Sequence, residues 1–243
     1  MLAPCQTPAL LPKGSCEPAW YDSASAPRST RLTASGGVIF LWGLDLASEP
    51  PVKRAVAFFD GQNCFNPSFD AAALGRAVCG SKGWSLVETR FYTGIPDARD
   101  NATWNHFWTA KLAQMGREGV VTYSRSLRYR NQRVTLPDGT ESTTLVAQEK
   151  GIDVRLALDL VRLAHSGAFD VALVFSQDQD LSEAATELRT IARERNRWLK
   201  IACAYPVSPT SRNTRGINGT DWIRIERAVF EGCLDARDYR VKG

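Results

Sequence analysis

From residue 53 onward, short apolar runs alternate with stretches whose apolar residues recur at helical spacing. Short apolar runs predict strands at Arg54–Phe59, Trp84–Tyr92, Val120–Ser124, Phe169–Phe175, Trp198–Tyr205 and Trp222–Ile225. Apolar residues at helical spacing predict helices at Phe69–Val78, Asn101–Gly116, Gly151–Ala164 and Leu181–Arg195. Because the predicted strands alternate with helices, the pattern indicates an α/β fold with a parallel sheet flanked by helices.

One segment, residues 125–144, departs from this alternation. Pro137-Asp138-Gly139 is a strong turn signal between two polar, extended arms, so the segment is predicted to form a β-hairpin or flap. It is also basic, since residues 116–133 contain five arginines against Glu118 alone. A local basic stretch favours contact with a polyanion, while a solvated arginine-rich hairpin would look the same.

The first 52 residues are different in character from the rest of the 243-residue chain. They are rich in Pro, Ser and Ala and show no sustained period, which predicts a flexible N-terminal extension before one domain over residues 53–243. A mis-assigned start codon would give the same pattern. The apolar stretch at 37–47 is too short to span a bilayer, so we expect a cytoplasmic protein that does not bind membranes.

The cysteine and histidine content limits the kinds of metal site and catalytic triad that the chain can form. The chain has six cysteines without a CxxC pair, and its histidines are His106 and His165 alone. A zinc site or a Ser-His-Asp triad therefore has little material to build from, and scattered cysteines in apolar runs are typical of a reducing compartment.

Four aspartates stand out because of where they fall on the predicted elements. Asp60 ends the first strand, Asp178 and Asp180 follow the Phe169–Phe175 strand, and Asp153 opens a helix. Parallel sheets bind ligands beyond the carboxyl ends of their strands, and converging carboxylates repel one another unless a cation neutralises them. The pattern therefore predicts a Mg²⁺ or Mn²⁺ site held by these four residues.

Each carboxylate also has a purely structural interpretation. Asp178 or Asp180 could cap the next helix, and Asp60 could form a turn into Gly61. Asp159 lies off the core-facing stripe, at helical spacing from Arg155 and Arg162, so we interpret it as structural.

The ordered motifs FFDGQN, EKGIDV with LDLV, and DVALVFSQDQDL resemble those of the NYN domain, a branch of the PIN-like metal-dependent nucleases. The resemblance covers roughly residues 53–225 and implies a Rossmann-like sheet with an acidic Mg²⁺/Mn²⁺ site that cleaves RNA. It places Asp60, Asp153, Asp178 and Asp180 in that site. Gln177 and Gln179 depart from the family, which commonly has a glycine after the serine, and the cysteine-rich insertion of longer relatives has no counterpart in 125–144.

The resulting hypothesis is a metal-dependent ribonuclease, with a catalytically weak or inactive RNA-binding module as the alternative. Phosphate contacts are predicted from Asn63, Lys150, Ser176, Arg125, Arg128, Arg130 and Arg212, and base stacking from Tyr123 and Tyr129. A homo-oligomer is compatible with all of this.

Two other classes fit the sequence less well. An aspartyl phosphatase would need a second carboxylate at Gln62, and no glycine-rich nucleotide-binding motif is present.

Overall fold

The computed structural model describes residues 47–61, 68–135, 141–148, 150–207 and 215–240, and the structural statements below refer to these ranges. The strands are β1 (Lys53–Asp60), β2 (Trp84–Ile95), β3 (Val121–Ser126), β4 (Arg128–Thr135), β5 (Glu141–Gln148), β6 (Val171–Phe175), β7 (Lys200–Pro206) and β8 (Asp221–Ile225). The helices are α1 (Ala71–Ser81), α2 (Ala102–Arg117), α3 (Ile152–Ser166), α4 (Ser182–Glu194) and α5 (Arg227–Glu231). Asn63, Arg212 and most of the predicted N-terminal extension lie outside the described residues.

The central sheet has six strands in the order β3-β2-β1-β6-β7-β8. All of its strand pairs are parallel, which confirms the predicted α/β fold. β2 and β3 are added in turn on one side of β1, and β6, β7 and β8 are added in turn on its other side. The strand order therefore reverses between β1 and β6, and in open parallel sheets this switch point is where ligands bind.

Helices cover both faces of the sheet. On one face, α1 and α2 pack against Phe59, Phe91 and Phe175. On the other, α3 and α4 pack against Val56, Phe58 and Val174. Alternate residues of each strand thus enter different cores, which is why the inner strands are apolar throughout. None of the helices in the described ranges has the length and apolarity needed to cross a membrane.

The predicted hairpin is present and stands apart from the central sheet. β4 and β5 pair antiparallel, with Arg128 opposite Gln148 and Thr135 opposite Glu141. The hairpin leaves the carboxyl end of β3 and returns to the start of α3. It is therefore attached to the sheet edge at which the predicted site residues fall.

The element boundaries moved by one to three residues at most ends, for local reasons. Helix α1 starts at Ala71 because the side chain of Asp70 accepts a hydrogen bond from the Ala73 N–H at 2.9 Å. The short helix α5 was missed, since five residues are too few to show a period.

Two buried carboxylates hold the layers together away from the switch point. Asp159 is 3% exposed and accepts from Tyr92 Oη at 2.9 Å and from Arg155 Nε at 3.1 Å. The pKa of Asp159 is lowered, because burial, which raises it, is outweighed by these hydrogen bonds. The predicted ion pairs of Asp159 with Arg155 and Arg162 are confirmed. Its predicted place off the core-facing stripe was wrong, because the side chain is buried against Tyr92.

At the amino ends of β1 and β6, Asp170 binds Arg54. The Arg54 backbone N–H and Nε donate to Asp170 Oδ2 at 3.0 and 3.1 Å, and Nη2 donates to Oδ1 at 3.0 Å. Burial raises the pKa of Asp170, but the bonds from Arg54 outweigh it and lower the pKa below its usual value.

Replacing Asp170 tests this contact. A carboxylate whose folded-state pKa is lowered contributes stability above its unfolded pKa of about 3.9, and that contribution is lost as the pH falls through the folded value. Asp170→Asn should lower the free energy of unfolding by about 2 kcal/mol at neutral pH and flatten its decline below about pH 4. Urea unfolding over this pH range measures both effects. The matched control is Asp221→Asn, whose side chain is 63% exposed, and equal losses in the two variants would contradict the prediction.

Candidate functional site

The candidate site is built where β1 and β6 end side by side. These strands pair with Phe59 opposite Phe175, so Asp60 and Ser176 are the next neighbours at the carboxyl edge. The Phe59 and Phe175 rings stack with centroids 3.9 Å apart and an interplanar angle of 9°. Gly61 closes the edge, because a Cβ there would lie 2.9 Å from both the Phe91 ring and the Tyr92 carbonyl oxygen. The stacked Phe59 and Phe175 rings and the close packing of Gly61 therefore determine the position of Asp60, which lies between Phe59 and Gly61 in the chain.

A chain of hydrogen bonds joins the two strand ends. Ser176 Oγ donates to Asp60 Oδ2 at 2.8 Å and accepts from the Asp178 backbone N–H at 3.0 Å. Asp60 is fully buried and Ser176 is 2% exposed. A buried carboxylate is costly without such partners, so the serine both stabilises Asp60 and orients it. Ser176 was predicted as a phosphate contact, and in the structure its hydroxyl proton is donated to Asp60.

Asp178 and Asp180 are not equivalent in the structure. Residues Gln179–Leu181 form a single turn of 3₁₀ helix between β6 and α4. Asp178 caps that turn, since its Oδ1 accepts from the Asp180 N–H at 3.0 Å. Asp178 is half-buried next to Ser176, whereas Asp180 is exposed. The alternative that Asp178 caps a helical turn is therefore correct for its side chain. Its backbone N–H is linked to Asp60 through the Ser176 hydroxyl.

Asp153 lies in the first turn of α3, at the same edge of the sheet. Helix α3 leads into β6, so its N-terminus lies level with the carboxyl ends of the strands. The 3₁₀ turn after Asp178 packs against α3. Gly151, the residue before the helix, has φ of +80°, a left-handed conformation that favours glycine. The first turn of a helix stabilises an anion such as Asp153.

The four predicted acids share this edge, but they are not gathered into a compact cage. Within the described residues, no group of three or more His, Cys, Asp or Glu side chains is placed to hold a metal ion. Asp60 and Asp178, joined through Ser176, form the best-defined part of the acidic edge. Their hard oxygen donors fit Mg²⁺, which commonly takes one or two carboxylates and completes its coordination with water and substrate phosphate.

Gln177 and Gln179, which depart from the family pattern, bind backbone groups of residues 215–218. Gln177 Nε2 donates to the Arg215 carbonyl oxygen at 2.8 Å. Gln179 Nε2 donates to the Gly216 carbonyl oxygen at 3.1 Å, and its Oε1 accepts from the Asn218 N–H at 3.0 Å. Both amides therefore link residues 176–181 to residues 215–218.

Cys203 is a site residue that the sequence did not reveal. It is fully buried on β7, and its Sγ donates to the Ser176 carbonyl oxygen at 2.9 Å. Burial raises the pKa of this thiol, so it stays protonated and able to donate. The contact depends on the strand register, which places Cys203 opposite Val174, and no local sequence pattern predicts that register.

The predicted RNA contacts fall on the surface around this edge. Arg125, Arg128, Arg130 and Lys150 are all exposed. Tyr123 and Tyr129 are half-buried. The Arg125 and Arg155 guanidiniums lie 5.7 and 5.1 Å from the Tyr123 ring centroid. Tyr123 therefore supports two arginines instead of presenting a free ring.

The parallel sheet with helices on both faces defines an α/β domain, and this architecture is consistent with a PIN-like fold. The profile of the NYN domain matches residues 54–199, which is more than half of the chain. The protein therefore belongs to the NYN domain family.

Other comparisons are more distant. No curated protein matches the chain. A protein of unknown function from Vibrio parahaemolyticus is similar over 75% of this chain and 98% of its own, with 14% identity and a TM-score of 0.42. Ribokinase from Giardia lamblia is similar over 67% of this chain and 53% of its own, with 12% identity and a TM-score of 0.34. Similarity this loose carries no argument about function.

The serine between the two acids can be tested without a substrate. Ser176→Ala removes the donor to buried Asp60, so we expect the free energy of unfolding to fall by about 1–3 kcal/mol. Amide hydrogen exchange at Asp178 should become faster, because its acceptor is lost. Ser124→Ala, at an exposed position on β3, is the control. If Ser176→Ala matches this control in both measurements, the hydrogen-bond chain is not present in solution.

Proposed function

We propose that this protein is a metal-dependent ribonuclease that hydrolyses RNA phosphodiesters at the switch point between β1 and β6. The observation that carries the proposal is the Asp60–Ser176–Asp178 hydrogen-bond chain at that edge of a NYN-family domain. Asp153 and Asp180 are the further acids that we assign to the site. Mg²⁺ or Mn²⁺ is the cofactor we assign, because these carboxylates offer only hard oxygen donors.

The role of each residue follows from its burial and contacts. Asp60 is fully buried and its orientation is set by Ser176, so it is the most rigid acid of the site. Asp178 is tied to it through its own backbone, and its carboxylate is half-buried. A divalent ion bound by these acids would lower the pKa of a water and neutralise charge on the scissile phosphate. The acids hold that ion, and Ser176 limits the reorganisation of Asp60 during the reaction.

The surroundings supply the affinity for RNA. Arg125 lies one residue before the end of β3, and its Nη1 lies 2.8 Å from the position that a Gly151 Cβ would take, so its guanidinium rests on the start of α3. Arg128 and Arg130 are two residues apart on β4, so their side chains lie on the same face of the hairpin. Lys150 is exposed immediately before α3. Cations at these points would bind phosphates of any sequence, so we expect little base preference from them.

The alternative, an RNA-binding module with weak or no catalysis, has one specific observation in its favour. The acids of the described residues do not form a compact group of three. A site that relies on Asp60 and Asp178 for its best-defined part would bind its ion loosely without substrate. RNA binding does not depend on that ion, and it would persist in such a module.

A cleavage assay separates the two functions. We expect the purified protein to cleave labelled single-stranded RNA only with Mn²⁺ or Mg²⁺, and Asp60→Asn and Asp178→Asn to lower the rate at least about 100-fold. Asp221→Asn, at the start of β8 on the opposite edge of the sheet, should cleave like wild type. The rates are measured on denaturing gels during a metal titration.

Two results would decide against hydrolysis. Cleavage that persists in both site variants would come from a contaminant or another site. Wild-type protein that binds RNA at every metal concentration without cutting it would establish the binding module instead.

A further inference from the structure

The sheet is left open beside α3, on the face that α3 and α4 cover. The buried cluster on that face takes its strand residues from β1, β6 and β7, and takes Tyr92 from β2. From β3, Tyr123 is partly buried against this cluster, whereas Val121 is 42% exposed. The register places Arg90 beside Val121, Tyr92 beside Tyr123, and Gly94 beside Arg125. Arg155 of α3 lies 5.1 Å from the ring centroid of Tyr123 on β3, so the exposed surface of α3 continues onto the exposed part of β3. This surface is called the groove below, and α3 forms its wall.

The wall of this groove is both basic and apolar. A cavity of about 610 Å³ opens along α3 and is lined by Arg155, Leu158, Asp159, Val161 and Arg162. Leu158 is 61% exposed, although it is a large apolar residue on a helix that otherwise buries its leucines. Arg155 and Arg162 flank it, seven residues apart, which is about 10 Å along the helix axis.

A buried acid holds the arginines in place. Asp159 lies beneath the groove, with Arg155 Nη2 and Arg162 Nη2 at 3.1 and 3.4 Å from Oδ1, and Arg90 Nη1 at 3.3 Å from Oδ2. Arg90 also pairs with Glu88 on β2. Two carboxylates thus face four guanidiniums when Arg125 is included, and the groove keeps a positive charge. The Arg162 side chain is 62% exposed and can still donate to a ligand.

We propose that this groove binds an unpaired RNA segment that leads to or from the cleavage site. Phosphates would contact Arg155 and Arg162, and bases would lie against Leu158 and Val121. The groove begins at Arg125, which rests on the start of α3 at the acidic edge, and it follows α3 away from that edge. Guanidiniums alone would accept a duplex equally well, but the apolar side chains between them can contact only bases that are not stacked within one.

The inference rests on the proposed function for its direction, since the acidic edge defines one end of the path. Its ligand is argued from the groove itself. A protein partner could use the apolar positions Leu158 and Val161, but the excess of guanidiniums favours a polyanion. A protein on this surface is therefore treated as an outcome of the test.

Binding can be measured with cleavage switched off. In EDTA, the fluorescence anisotropy of a short labelled single strand, and of the same strand in a duplex, is titrated with protein from about 50 to 200 mM salt. We expect Arg162→Ala to weaken single-strand binding several-fold and to reduce the slope of log K against log salt by about 0.7, the value for one phosphate contact on a single strand. Arg227→Ala removes an 85% exposed arginine from α5, in the layer of α1 on the other face, and should change neither quantity.

The apolar part of the groove has its own variant. Leu158→Gln should weaken single-strand binding roughly threefold with an unchanged salt slope, because it removes apolar contact area and no charge. Binding of the duplex should be weaker in wild type and unaffected by this change. Circular dichroism melting of each variant checks that it is folded.

Several outcomes would overturn the groove. These are unchanged affinity and slope in Arg162→Ala, duplex bound as tightly as single strand, and a wild-type protein that binds no RNA. A further one is a Leu158→Gln variant that binds RNA normally but dissociates a wild-type dimer in sedimentation, which would make the surface a protein interface. Single-strand binding with the expected pattern in a protein that never cleaves RNA would reject the hydrolase and leave the groove established.

Discussion

The pairing of β1 with β6 is the constraint on which the other features depend. It creates the switch point of the sheet, and it is anchored at both ends by buried carboxylates. Asp170 binds Arg54 at the amino edge, and Asp60 accepts from Ser176 at the carboxyl edge. Between them, the stacked Phe59 and Phe175 rings leave little freedom for the strands to slide. A one-residue slip would turn Asp60 towards the opposite face and separate it from its serine.

The buried acids of this protein serve different ends according to their place in the fold. Asp159 and Asp170 are paired with arginines, and their role is to hold elements together. Asp60 accepts a hydrogen bond from the neutral Ser176 hydroxyl, which orients the carboxylate at the strand end. Asp159 and Asp170 lie away from the switch point, whereas Asp60 lies at the carboxyl end of β1, where β1 pairs with β6. This position in the sheet separates the candidate functional acid from the structural ones.

A second layer of contacts keeps the acidic edge in shape. Cys203 bonds the Ser176 carbonyl oxygen from β7, and Gln177 and Gln179 bind the backbone of residues 215–216. Gln177 stands where the family commonly has a glycine. Its side chain is accommodated because its amide donates to the Arg215 carbonyl oxygen.

The sequence by itself determined the elements other than α5 and the 3₁₀ turn, the parallel sheet, the hairpin and the strand-end location of Asp60 and Asp178. Those features follow from local periodicity and from which residues end a strand, and both can be read from neighbouring residues. Only the tertiary structure decided that Ser176 links the two acids, that the glutamines bind the backbone of residues 215–218, and that Tyr123 supports Arg125 and Arg155. It also left Leu158 exposed beside an uncovered part of the sheet. These outcomes depend on strand register and on which helix covers which strand, and contacts between residues far apart in the chain set both.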